Sequence, residues 1–151
     1  MQESAEAVSG GFGRAERRNA GFGARGLGAK GKGRGLPARM IPFEAFHVAA
    51  IGIDVLLGAI CYGASQVRVL VTGREAEGYI AAIKEQMTFA SAMLQGLGYA
   101  GEHFGVIEGG NLEQKLWDLA PASGVAKPAT FNLSAEKRTS LDFAIDFLFR
   151  D

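Results

Sequence analysis

Gln66-Val67-Arg68-Val69-Leu70-Val71-Thr72, closed by Gly73, is the stretch that decides the fold. It is rich in β-branched residues and nearly continuous in apolar content, the pattern of a strand covered on both faces in a parallel sheet. On its C-terminal side, Glu75 to Leu97 reads as the strongest helix. Tyr79, Ile80, Ile83, Met87, Ala90, Met93 or Leu94, and Leu97 form a stripe at the helical period, and Glu75 and Glu77 sit in the first turn, where the helix dipole favours acids. Gly96 or Gly98 can supply a left-handed cap.

Further along, His103-Phe104-Gly105-Val106-Ile107-Glu108 reads as a strand and Gly109-Gly110 as a turn. A short helix around Leu112–Leu119 carries Trp117, and Pro121 to Pro128 forms a loop. Ser134 is a good N-cap for a last helix, with Leu141, Ala144, Ile145 and Leu148 on one stripe and Phe143, Phe147 and Phe149 widening it. On the N-terminal side of the deciding strand, a helix from Ala49 to Gly63 carries Ile53, Leu56, Leu57, Ile60 and Cys61 at three- and four-residue spacing. Before it, Met40–Phe46 reads as a first or edge strand, with Pro42 near its start, where a missing donor matters least.

Strand, helix, strand, helix, strand with short connections predicts an α/β domain over residues 36–151: a small parallel three-stranded sheet with helices on its faces. Residues 1–35 are different material. Of the first 39 residues, 23 are Gly, Ala or Arg, and the first 40 carry eight Lys+Arg against three acids, net +5, which leaves net −5 for the rest of the 151-residue chain. So few large apolar groups cannot offset the entropy of ordering, and a disordered Gly/Ala/Arg-rich tail is expected, whether a solvated tail or an extension not native to the domain. Gly11-Phe12-Gly13 and Gly21-Phe22-Gly23 resemble Arg/Gly/Phe tracts that bind single-stranded nucleic acid, but two Phe are thin evidence and nucleic acid is not the expected partner.

Composition excludes several classes. One cysteine, Cys61, makes no internal disulfide and by itself holds neither a Cys-rich zinc site nor an iron–sulfur cluster. The first 35 residues offer no apolar export segment, so the chain reads as cytoplasmic. Val48–Ala64 is short of a bilayer span and contains Asp54, which argues for a buried helix and against a membrane partner.

Carboxyl ends of parallel strands share one edge, the usual ligand crevice of such sheets. That places Phe46-His47-Val48 beside Thr72-Gly73-Arg74-Glu75. His47 is a potential acid, base or ligand, and Thr72, Gly73, Arg74 and Glu75 frame the amides that open the next helix, a place for an anion or nucleotide. An ordinary loop role for His47 and a solvated one for Arg74 are the simpler readings, and the spacing is neither a dinucleotide fingerprint nor a Walker loop. His103 reads as a plain surface or turn residue, Cys61 as a buried unreactive thiol, Met87 and Met93 as core, and Ser65 and Ser91 lack a nucleophile elbow. No catalytic dyad or triad assembles, and no metal site is expected.

Longer stretches carry a resemblance. Ile41-Pro42-Phe43-Glu44-Ala45-Phe46-His47-Val48-Ala49, Gly52-Ile53-Asp54-Val55-Leu56-Leu57-Gly58-Ala59, Tyr62-Gly63-Ala64-Ser65-Gln66-Val67, Gly96-Leu97-Gly98-Tyr99-Ala100-Gly101-Glu102-His103 and Pro128-Ala129-Thr130-Phe131 together resemble the clusterless α/β segment of large bacterial 4Fe-4S ferredoxin-type proteins. That segment is itself similar to the delta subunit of methyl-viologen-reducing hydrogenases. In the delta-subunit family the loops after the first two strands carry cysteines for an iron–sulfur cluster. Here they read Phe46-His47-Val48-Ala49 and Thr72-Gly73-Arg74-Glu75, so no cluster ligand carries over.

The resemblance covers roughly residues 36–150. It implies that 4Fe-4S clusters belong to a Cys-rich part of a longer parent protein, that this chain is a fragment or shortened relative without a cofactor of its own, and that its partner is a redox protein or the rest of that polypeptide. The implied role in electron transfer is non-catalytic: docking or structure. The alternative is a nucleotide- or anion-binding α/β domain using the crevice around His47 and Arg74.

Overall fold

The structure, a computed structural model, describes residues 33–45 and 47–151. The disordered tail expected over residues 1–35 lies almost wholly outside the described residues, as does Phe46.

A parallel pair forms the centre. Strand β1 is Val67–Val71 and β2 is Phe104–Glu108, in the register Val67↔Phe104 through Val71↔Glu108. Between them runs the long helix expected from the sequence, Glu77–Gly96, so the unit is strand, crossover helix, parallel strand. Gly73, at φ 80°, turns the chain out of β1, and Gly98, at φ 96°, takes the left-handed position just past the helix. Three helices complete the described body. In chain order, α1 is Ile53–Cys61, α2 the crossover helix Glu77–Gly96, α3 Leu112–Trp117 and α4 Lys137–Arg150.

Among the described residues the expected third strand does not appear. Within residues 40–45 the chain makes a single bridge at Glu44, and the described sheet is two-stranded. An isolated extended segment has no intrinsic drive to pair; it becomes a strand only where a neighbouring edge offers matching donors and acceptors, and Pro42 removes one donor at the outset. Two helix starts also move. Gly52 interrupts the expected Ala49–Gly63 helix, leaving a 3-10 turn at Val48–Ala50 ahead of α1. Ser134 does not cap α4, whose N-cap is Glu136 without a side-chain cap bond; Ser134 instead accepts from the Glu136 amide through Oγ and from the Ser140 hydroxyl through its carbonyl.

The core follows the stripes. Leu56, Leu57, Ile60 and Cys61 of α1 are buried, together with Val69 of β1, Ile83, Met87, Ala90 and Leu94 of α2, and Ala144 and Leu148 of α4. Each large aliphatic side chain so removed from water contributes about 2 kcal/mol. Helix α1 packs chiefly on α4 and also on α2. Gly58 makes room for Leu133, in the segment that leads into α4, since a Cβ there would meet Leu133 Cδ1 at 2.7 Å. Tyr79, expected in the buried stripe of α2, is instead 47% exposed at its first turn, beyond the end of the sheet. No helix among the described residues is long and apolar enough to cross a membrane.

Two residues assigned to the tail belong to the body. The Gly35 carbonyl accepts from Trp117 Nε1 at 2.9 Å, and the Arg34 guanidinium lies 4.4 Å from the centre of the Trp117 ring, a cation–π contact.

Candidate functional site

At the carboxyl end of β1 the chain makes a cradle of amides and fills it from within. The Thr72 amide lies 3.0 Å and the Gly73 amide 3.0 Å from Glu75 Oε2, and the Thr72 hydroxyl donates to Oε1 at 3.0 Å. Successive backbone N–H groups converging in a turn form an anion-binding nest. Here the bound anion is the carboxylate three residues on.

His47 reaches the same end from the other loop. Its ring stands edge-on to Tyr79 of α2, with centroids 4.7 Å apart and planes at 87°. Nδ1 accepts from the Ala49 amide at 3.0 Å and so caps the 3-10 turn, which leaves Nε2 to carry the proton in the neutral ring. The structure therefore brings His47 and the Thr72–Glu75 loop to one end of the α2 helix. Both are occupied locally: His47 holds its own turn and Glu75 closes its own loop, while Arg74 stands exposed in that loop.

Cys61 is fully buried on α1, its thiol 3.6 Å from the Ala144 carbonyl of α4. Burial pushes its pKa up to about 11, so at neutral pH it is a packed thiol and not a nucleophile or ligand anion. Among the described residues no group of three His, Cys, Asp or Glu side chains is placed to hold a metal ion.

His103 departs from its sequence reading. It is buried, not a surface residue; Nδ1 lies 3.0 Å from the Ser65 carbonyl, and Nε2 is buried without a partner among the described residues. Tyr99 stands edge-on to the ring at 6.4 Å. The Tyr99 hydroxyl in turn meets the Leu148 carbonyl at 3.3 Å and the Asp151 carboxylate at 3.0 Å. Burial and that carboxylate push the phenol up to about 12. The signal available in sequence was position: His103 precedes the apolar strand at the point where the loop from α2 enters the sheet.

A second feature missed in sequence lies on the sheet. Arg68, read as one member of an apolar run, pairs with Glu102: Nη1 to Oε1 is 2.5 Å and Nη2 to the Glu102 carbonyl is 2.9 Å. Between β2 and α2 runs a groove of about 440 Å³, lined by Met87, Thr88, Ser91, Gln95, Phe104 and Val106 and by no residue of β1.

Comparison of the chain with known protein families, with characterised proteins and with solved structures finds no match.

Proposed function

We propose that this chain is a non-catalytic module of a 4Fe-4S ferredoxin-like electron-transfer protein, serving docking or structure and holding no cluster itself. The observation that carries the reading is the placement of Cys61: the chain's sole cysteine is spent in the α1–α4 core with its thiol pushed up to about 11. A [4Fe-4S] cluster takes four Cys thiolates, so the electron carrier belongs to a partner polypeptide or to another part of a parent one. The stretches between Ile41 and Phe131 that resemble the clusterless segment of ferredoxin-type proteins support the same role. A docking face is available on α4 and its neighbours, where Tyr62 and Phe143, 44% and 49% exposed, flank Phe131. Aromatic groups of this kind are favoured at protein contacts because they bury large area at little entropic cost.

The test is a titration of the isotopically labelled chain with a purified bacterial ferredoxin carrying two [4Fe-4S] clusters. Shifts confined to Tyr62, Phe131 and Phe143, abolished in Phe143→Ser, are the expected result. No perturbation at saturating ferredoxin, or a stoichiometric cluster on this chain after anaerobic reconstitution with iron and sulfide, overturns it.

One observation favours a second reading, nucleotide or anion binding at His47 and Arg74: the Thr72 and Gly73 amides already cradle a carboxylate. An incoming phosphate would have to displace Glu75. Thermal stabilisation by nucleotides or inorganic phosphate, with shifts at Thr72 and Gly73, would establish this reading in place of the first.

A further inference from the structure

Among the described residues, β2 has a strand on one side only. The Val67 amide donates to the His103 carbonyl at 2.8 Å, and the alternation of a parallel ladder then directs the backbone groups of His103, Gly105 and Ile107 toward β1. Those of Phe104, Val106 and Glu108 point the other way. On that side no strand pairs with β2 among the described residues. The Glu108 carbonyl accepts from Lys115 Nζ at 2.6 Å, and among the described residues Phe104 and Val106 make no backbone bond across this edge. The strand carries neither Pro nor Lys, the usual guards of an exposed edge, and the groove against α2 lies alongside it.

We infer that β2 pairs with β2 of a second copy of this chain, antiparallel and centred on Val106, to make one four-stranded sheet across a two-fold axis. The strand is self-complementary in that register. Val106 faces Val106 in a hydrogen-bonded position, and Phe104 faces Glu108 of the second copy, whose carbonyl accepts from the Phe104 amide through its second lone pair beside Lys115 Nζ.

Charge selects the antiparallel arrangement and the second copy as occupant. Each Glu108, ion-paired to Lys84 at 2.7 Å, lies at the far end of the strand from its twin, whereas an in-register parallel pairing would set Glu108 against Glu108. Opposite Phe104, Glu108 of the second copy comes beside Ser91 and Gln95 of the groove, a hydroxyl and an amide able to donate to its carboxylate. Glu102, with a side chain 75% exposed, comes alongside Gly110 of the second copy, next to the Lys115 ammonium. The small residues Thr88, Ser91 and Ala92 on the groove wall leave room for the incoming Val106 and Glu108 side chains.

The test uses the full chain. Light scattering over a concentration series is expected to show mass rising toward twice that of the monomer. Val106→Cys is expected to oxidise to a covalent dimer, since Cα atoms of a hydrogen-bonded antiparallel pair stand about 5.5 Å apart, within disulfide range. Buried Cys61 does not compete. Ala92→Glu, at an exposed position on the groove wall, should shift the midpoint of association at least tenfold toward higher concentration while leaving the melting profile of the monomer unchanged. A chain that stays monomeric throughout overturns the inference. So does a dimer that neither Val106→Cys locks nor Ala92→Glu weakens, and so does a β2 edge taken by an extended segment of a ferredoxin in place of a second copy.

Discussion

The guanidinium of Arg68 occupies the space that a side chain at Gly105 would fill. The two residues are register partners on adjacent strands, and the closest atom to a Cβ built at Gly105 is Arg68 Nη1. The Arg68 side chain is only 12% exposed, and the Glu102 carboxylate, also against Gly105, neutralises it. A charged residue inside an apolar strand is thus tolerated because its cross-strand neighbour has no side chain and a carboxylate stands at the strand entrance.

Gly105→Ala is therefore expected to push Arg68 off Glu102 and to cost about 1–3 kcal/mol, the usual cost of overpacking, measured by urea denaturation. Arg68→Met with Glu102→Gln should cost less than Gly105→Ala, because it removes both charges together and leaves neither buried alone. If the double variant is the more damaged of the two, the ion pair is a net stabiliser and not merely an accommodated one.

Gly101→Ala should be worse than a surface glycine change. Gly101 has φ 108°, and a Cβ there would stand 2.8 Å from the Ala122 backbone, which cannot rotate away as a side-chain tip does. A loss of about 2 kcal/mol or more is expected from the left-handed strain together with the clash. An unchanged melting temperature would show that the 121–123 loop yields freely.

Ile83→Asp should unfold the domain, since Ile83 is 2% exposed on the inner face of α2 and an unpaired carboxylate there costs several kcal/mol. Loss of near-ultraviolet circular dichroism is the readout, and a folded variant would mean that the face of α2 turned to the sheet is not the one described.

Stability should fall on the alkaline side. The Cys61 thiol rises from 9.0 to about 11 and the Tyr99 phenol from 10.0 to about 12 on folding. Both groups hold their protons more tightly folded than unfolded, so their contribution is complete below pH 9 and is lost as pH rises toward 12. Tyr99→Phe should flatten the upper part of that decline, in melting curves taken from pH 8 upward. At neutral pH a thiol reagent should label Cys61 only after denaturant is added.

Glu75→Ala empties the Thr72–Gly73 cradle. A loss of about 1–2 kcal/mol is expected from three unmet donors. Added sulfate should restore more stability to the variant than to the parent, because the freed amides then have an anion to bind; equal effects on both would mean that the loop collapses once its own carboxylate is gone.

Much of this was readable from the chain alone. The apolar, β-branched run at Val67–Val71 and the stripe through Ile83, Met87, Ala90 and Leu94 determined a strand and a helix buried against it, because periodicity reports which side of an element must leave water. Gly73 and Gly98 marked two boundaries for a local reason, the ease with which glycine takes positive φ. What the chain alone left open depends on partners distant in sequence. Whether His103 is inside or outside and whether Arg68 finds a carboxylate are settled by groups 34 or more positions away, Glu102 for Arg68 and Ser65 for His103. The cradle at Thr72 shows the same limit at short range: pattern placed Glu75 beside an anion site, and only the folded turn decided that Glu75 is the anion within it. A side chain's chemistry is local, but its occupancy is decided by whatever the tertiary fold brings within about 3 Å.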